Sequence, residues 1–437
     1  MQLTAKKSAL LATPRLGQFA IAPRWFWYAA ALGAVLRIYL VIFTNGTSDV
    51  GIWATHAGGV NLYGVVGYYR STEWANHPPL ASKLAELALR ASGRSFSLPS
   101  GKRFSTSGIP FRVLLRLPFA LLDAGTALLL MSLFPNKPWQ FAIAAMYWLH
   151  PLAIIFSAYH GNTDSAVAFS LLLSVWFLAR GNIVAAGIAL GAGFWIKIPG
   201  VLAMPALLLW PEGWRKKMHF AMAIALTMLV GYLPALLQDP EVVCRNVFGY
   251  RGLLVATIAN EPIWGIRVLL SIFMPGGWRP EQGGKIQFLI EHEWMLALLL
   301  VLAITWLRRE RRSVTELCAT IGIAYMVFYA FNDNWAYQYL AWSLPFWFFM
   351  PRWLLIAVSV AASGYIYSLY SFYCGNPWLL GVWNYMAHPQ WPGLVLFFRD
   401  SAMVIFFLSA IWLLVASVRG KSASFFMPSE FANDSPL

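Results

Sequence analysis

The chain has 437 residues, 59% of them hydrophobic, 16% aromatic and only 11% charged, against roughly 25% charged residues in a soluble globular domain. Repeated long apolar runs with this composition exclude a soluble protein and define a polytopic membrane protein. The net charge of +14 does not point to nucleic acid, because Lys and Arg stand in short blocks beside apolar segments, the pattern that fixes membrane orientation; no nucleic-acid partner is expected.

The predicted fold is all-α: a single integral-membrane domain over 1–437 with roughly 11–12 transmembrane or re-entrant helices of about 20 residues each. Residues 1–24 form a basic cytoplasmic segment, 44–111 an external loop, 112–418 the remaining membrane helices and 419–437 a cytoplasmic tail whose end, 422–437, is expected to be disordered. Lys6, Lys7, Arg15 and Arg24 precede the first apolar run in place of a cleavable signal. Spans are predicted at 25–43, 112–134, 139–158, 164–179, 286–307, 314–331, 336–350, 353–373 and 394–418. The block Arg308-Arg309-Glu310-Arg311-Arg312 marks a cytoplasmic turn, which leaves both chain ends inside.

Within the external loop, Leu80, Leu84 and Leu87 alternate with Lys83, Glu86 and Arg90 at helical spacing, predicting an amphipathic helix along the interface. Residues 93–108, rich in Ser and Gly, read as a flexible connector. Residues 183–237 admit two paths. Either 183–209 goes in and returns as a broken or re-entrant pair around Pro199-Gly200, the expected reading, or it is one long span with 263–274 restoring parity. Gly187, Gly191 and Gly193 read as helix-packing positions.

Chemistry is concentrated where the chain leaves the hydrocarbon. Asp49, just past the first span, suits a general base and equally a turn or helix-capping residue after Asn45-Gly46. Glu73 and His77 are further candidates in the same loop, with solvated loop residues as the plain alternative; Pro78-Pro79 fixes the direction of approach to His77 and starts a helix. His160, Asn162 and Asp164 crowd a short turn between two spans and are expected to wall the same external cavity, although Asn162 and Thr163 also suit a helix cap. Lys197, among apolar residues, costs about 2.5–3.5 kcal/mol at bilayer depth without a partner. A phosphate next to a broken helix is the expected partner, against snorkelling to the interface. Asp123, within a span, needs a partner; Arg116 lies two turns away, so another span is expected to supply it. Arg245, Arg251 and Arg267 are placed to clamp a phosphate or to anchor at the interface. The stretch from Phe331 to Tyr339, with Gln338, suits sugar hydroxyls and ring stacking, or an ordinary aromatic belt. Cys244, Cys318 and Cys374 are isolated and form neither a disulfide framework nor a metal set. No Gly-x-x-x-x-Gly-Lys-Ser/Thr loop is present, so a sugar-nucleotide donor is not supported.

The order of Asp49, His77-Pro78-Pro79-Leu80, His160-Gly161-Asn162-Thr163-Asp164, Lys197-Ile198-Pro199 and Gln338-Tyr339 resembles the GT-C superfamily of integral-membrane glycosyltransferases. Within it, the Gly-Asn, Lys-Ile and Gln-Tyr pieces are most similar to the branch that adds the first mannose to GPI anchors. Two departures stand out: Asp49 is followed by Val50 and Gly51 where many members carry paired acids, so a divalent metal is not supported and no cofactor is expected, and His77 replaces a Tyr before Pro-Pro. The resemblance implies inverting transfer of a hexose or pentose, mannose-like favoured, from a polyprenyl-phosphate carrier to a glycolipid or glycan hydroxyl on the non-cytoplasmic face of a bacterial or archaeal cell membrane. It implies Asp49 as base, Lys197 and Arg251 at the donor phosphate, and Glu73, His77, His160, Asn162, Asp164 and Gln338 at the substrates. The alternative is a membrane transporter or lipid flippase, which also buries ionisable residues in broken helices but usually shows inverted repeats.

Overall fold

The structure, a computed structural model, describes residues 22–92, 109–135, 137, 139–249, 257–258, 261–274, 284–333, 336–384 and 390–421. The predicted connector at 93–108, the basic N-terminal segment up to 21, Arg251 and the tail at 422–437 lie outside them.

The chain is an all-α, multi-pass integral membrane protein. Among the described residues the only strands are Thr257–Ile258 and Glu261–Pro262, paired antiparallel. In chain order the helices are α1 (Arg24–Phe43), α2 (Ser48–Ser71), α3 (Pro79–Ala91), α4 (Ile109–Leu133), α5 (Gln140–Trp148), α6 (Pro151–His160), α7 (Asp164–Ala179), α8 (Ile183–Gly193), α9 (Ile198–Leu209) and α10 (Trp214–Leu236). They continue with α11 (Ile266–Phe273), α12 (Gly284–Glu291), α13 (Glu293–Leu307), α14 (Val314–Phe331), α15 (Leu344–Trp347), α16 (Arg352–Cys374) and α17 (Gly393–Val418).

Six of these, α1, α4, α10, α14, α16 and α17, are long and apolar enough to cross a membrane, and two bent pairs, α5 with α6 and α12 with α13, raise the count to eight. Three shorter apolar helices, α7, α8 and α9, stand beside them. The predicted span 139–158 is bent by 51° because Pro151 has no amide proton and forces His150 out of helical geometry. Residues 336–350, predicted as a straight span, instead form a 3-10 turn, Tyr337–Ser343, followed by α15.

The path of 183–237 follows from its side-chain bonds. Trp195 Nε1 donates to the Thr227 carbonyl at 2.7 Å and the Tyr232 hydroxyl to the Phe194 carbonyl at 2.9 Å. Gly187 and Gly191 lie against α10 so closely that a Cβ would come within 2.8 Å of the Phe220 and Ile224 carbonyls. Residue numbers on both helices increase together, so α8 and α10 run parallel and the chain between them must return. It does so through α9, whose end is held by Arg312, donating to the Leu209 and Trp210 carbonyls beside the basic turn that follows α13. Lys197 sits at the top of this excursion in an extended backbone, φ −163° and ψ 138°.

The predicted external loop differs most from expectation, since Ser48–Ser71 is helical. Thr47 caps it by accepting from the Asp49 amide at 3.3 Å, and the helix folds back at Gly64 so that the Tyr68 ring lies on Gly59. The amphipathic helix appears as α3, starting at Pro79. Its small face, with Ala81, Ala85 and Leu89, packs inward while Leu84 and Leu87 are exposed, leaving the leucine face for lipid. Glu86 is buried and pairs with Lys83 and Arg90. Asn246, after α10, donates to the carbonyls of Tyr69, Thr72 and Ala75, clamping the segment after α10 onto the turn after α2.

Asp123 takes its partner from another span: Arg37 on α1 at 3.0 Å, with the Tyr147 hydroxyl donating to its other oxygen at 3.0 Å. Arg116 is instead committed elsewhere, as described below.

Candidate active site

Asp49 occupies the first turn of α2, and the turn preceding it is held by Arg116 of α4, a guanidinium with 0% exposure. Arg116 donates to the Val41 and Thr44 carbonyls at 2.7 and 2.8 Å, to Thr44 Oγ1 at 3.0 Å and to the Ala158 carbonyl at 3.3 Å. A planar fork with five donors is suited to gathering so many acceptors. It joins the end of α1 to the end of α6, and Thr47 Oγ1 adds a bond to the His160 carbonyl at 3.2 Å. Asp49 and His160, 111 residues apart in sequence, are thereby brought to one point.

The last turn of α6, Ile155–His160, is π-helical; the wider turn, a feature that often marks functional sites, ends on His160. His160 Nε2 lies 2.9 Å from Asp49 Oδ2 and Nδ1 lies 2.6 Å from the Tyr370 hydroxyl of α16. Because the ionised Asp49 carboxylate can only accept, Nε2 carries a proton and donates it, and in the neutral ring Nδ1 then accepts from the Tyr370 phenol. Asn162 Nδ2 donates to the same oxygen at 2.6 Å, and the amide orientation is fixed because its Oδ1 accepts from the Thr163 amide at 2.7 Å. Oδ2 is thus held by two donors, while Oδ1 accepts no hydrogen bond among the described residues. The carboxylate is 23% exposed. Burial raises its proton affinity, but His160, Asn162 and Lys197 together outweigh this and hold the carboxyl below its ordinary range, so Asp49 is ionised at neutral pH.

Lys197 is 14% exposed and pairs with both oxygens of the buried Asp164, at 2.8 and 2.9 Å. Asp164 also accepts from Trp342 Nε1 at 2.5 Å. Tyr339 and Trp342 stack on each other, centroids 4.0 Å apart, with the ammonium 5.7 and 5.9 Å from their ring centres. The expected phosphate partner of Lys197 is therefore preceded by an internal one. The Asp164 carboxylate takes at most two of its three N–H groups, which leaves at least one for a ligand.

On α2, Trp53 and His56 follow Asp49 at i+4 and i+7, on one helix face. His77 stacks on Trp53 at 4.1 Å and lies 5.3 Å from His56, and Tyr69 donates its hydroxyl to the His77 carbonyl. Burial lowers His56 to about 4 and lowers His77 well below the usual imidazole range, Asp49 opposing in both cases; both rings are neutral at neutral pH. The unfolded chain therefore takes up protons below pH 6.5 that the folded chain refuses until about pH 4. Stability is expected to fall across that window, by about 3 kcal/mol from His56 alone. Thermal unfolding of wild type and His56→Gln at pH 7 and 4.5 checks this; a wild type losing no more stability than the variant on acidification would contradict it.

Of the residues singled out from sequence, Asp49, His160 and Asn162 meet directly, Asp164 and Lys197 form the adjoining pair, and His77 lies on the Asp49 face of α2. Gln338 is buried in the 3-10 turn that carries Tyr339 and Trp342, without a side-chain hydrogen bond among the described residues. Glu73 does not join the cluster: it is exposed in the turn after α2, as a solvated loop residue is. Arg267 is committed to Asp333 at 3.3 Å and Arg245 to its neighbour Asn246 at 3.3 Å. Among the described residues no three His, Cys, Asp or Glu side chains converge as metal ligands. The cysteines are unpaired, with Cys318 and Cys374 buried. Arg116, Tyr370, Trp342, Trp53 and His56 were missed; only the last two carried a local signal, their helical spacing from Asp49. Compared with models of known families and with curated proteins, the chain matches none.

Proposed function

We propose that this protein is an inverting glycosyltransferase that moves a hexose or pentose, mannose-like favoured, from a polyprenyl-phosphate carrier to a hydroxyl of a glycolipid or glycan on the non-cytoplasmic face. The observation that carries the reading is the asymmetry of Asp49: one oxygen is immobilised by His160 and Asn162, while the other accepts no hydrogen bond among the described residues.

The chemistry follows from that arrangement. Oδ1 accepts the proton of the acceptor hydroxyl as its oxygen bonds to the anomeric carbon, and the bond from that carbon to the carrier phosphate breaks with its electron pair going to phosphate. The remaining N–H of Lys197 meets the charge appearing on the leaving phosphate. Asp164 and Trp342 keep the ammonium in place, and the stacked Tyr339 and Trp342 offer a flat surface to a sugar ring. His77 and Gln338 are assigned to sugar hydroxyls; Glu73, exposed, is not given a role.

The test is incubation of the purified protein with polyprenyl phosphates carrying radiolabelled mannose, glucose or arabinose and a membrane glycolipid extract as acceptor. Label passing into acceptor with inverted anomeric configuration is expected; no transfer from any donor would overturn the reading. Tyr370 acts through His160 and is a positioning residue. Tyr370→Phe is expected to reduce kcat by about 10-fold, the lower end of what losing a histidine-orienting partner costs, with KM for the donor unchanged. An unchanged kcat would remove Tyr370 from this role.

A further inference from the structure

At the end of the bundle opposite Asp49, helices α1, α4 and α5 leave a cavity of about 450 Å³ between them. Phe26, Phe141 and Trp148 form its aromatic edges, Ala127 and Ala144 part of its thin floor, and Gln140 stands where α5 begins. Trp27 and Leu128, also on its wall, are strongly exposed, so the cavity opens on the flank of three helices of the membrane-spanning bundle.

Gln140 is the feature that packing does not explain. It is 2% exposed, lines a space walled otherwise by carbon, by the exposed Trp27 and by the Trp148 indole already bonded to the Ala30 carbonyl, and its amide makes no hydrogen bond among the described residues. Buried amides are normally paired, and an apolar cavity of this kind stays dry, so water is a poor partner. From Gln140 to Trp148 the helix rises about 12 Å. The volume holds roughly 15 groups of about 30 Å³, the space a liquid gives one water-sized group.

We propose that this furrow binds one acyl chain of a diacyl phospholipid, with the Gln140 amide donating to that chain's ester carbonyl. The amide lies where its helix enters the bundle, the level at which ester groups follow the hydrocarbon, and the apolar walls continue inward from it. A polyprenyl phosphate is the wrong occupant, because its chain begins on phosphate and has no ester carbonyl to accept from the Gln140 amide. The inference does not depend on the glycosyltransferase reading.

The experiment uses the full-length protein in phosphatidylcholine nanodiscs containing a trace of phosphatidylcholine with a diazirine midway along one acyl chain. After irradiation, labelled peptides are mapped. Label on α1, α4 and α5 around the furrow is expected to exceed label on the outward face of α10, at Leu226, Leu229 and Val230. Ala127→Phe combined with Ala144→Phe, which fills the furrow, is expected to remove the excess. Gln140→Leu, which keeps the shape, is expected to lower it about fivefold, the effect of one hydrogen bond, and an ether-linked probe lacking the carbonyl should behave on wild type as the ester probe does on that variant. Equal labelling of furrow and α10, an ether probe as effective as the ester, or stronger labelling by a diazirine-bearing polyprenyl phosphate would each overturn the proposal.

Discussion

Asp49→Asn is expected to reduce sugar transfer by roughly 10²–10⁴-fold, the contribution of a positioned general base, while the protein folds and binds its donor as before. The amide has the shape of the carboxylate, and its oxygen still accepts from His160 and Asn162, so the helix start and the turn against α6 are kept. What is lost is the second carboxylate oxygen as a proton acceptor. Because the carboxyl is held below its ordinary range, wild-type activity should not lose its base on acidification until below about pH 4. Initial rates for both proteins, with donor affinity measured alongside, check the claim. A variant retaining wild-type rates would remove Asp49 as the base.

Arg116→Ala is expected to destabilise the protein by about 3–5 kcal/mol, the range for removing one partner of a buried charged network. The carbonyls of Val41, Thr44 and Ala158 and the Thr44 hydroxyl would be left without this donor in the interior, at about 1–3 kcal/mol for each buried group left unsatisfied. Arg116→Lys keeps the charge but supplies three donors in place of five, so it should recover only part of the loss. Unfolding of the detergent-solubilised proteins measures this, and an Arg116→Ala protein as stable as wild type would show that the bonds are not holding the site together.

How far the sequence led can be judged from these same residues. The membrane class, the start of α3 at Pro79 and the go-and-return path around Lys197 were legible because apolar runs, proline punctuation and basic blocks are local signals. Asp49, His160, Asn162, Asp164 and Lys197 stood out because polar groups are costly beside hydrocarbon, and all five are joined by direct bonds or ion pairs within two adjoining groups. The helix at Ser48–Ser71 was not legible: its Gly, Tyr and Thr content reads as loop, and what makes it helical is burial of Trp53, Ala54 and Ala57 against the bundle. Nor was the pairing of Lys197 with Asp164, or the role of Tyr370, one of 18 tyrosines. Those depend on which spans lie side by side, which no local pattern records. Glu73, an acid in the same loop, is exposed in the turn after α2, a placement that no local pattern in the sequence records.

The most direct measurement compares purified wild type and Asp49→Asn in proteoliposomes, following two fates of a radiolabelled polyprenyl-phosphate sugar: passage of the sugar onto acceptor, and movement of the intact lipid between leaflets. Transfer by the wild type, lost in the variant, with no protein-dependent movement in either, is the expected result. Movement of intact donor across the bilayer without any transfer would contradict the assignment and mark the protein as a transporter.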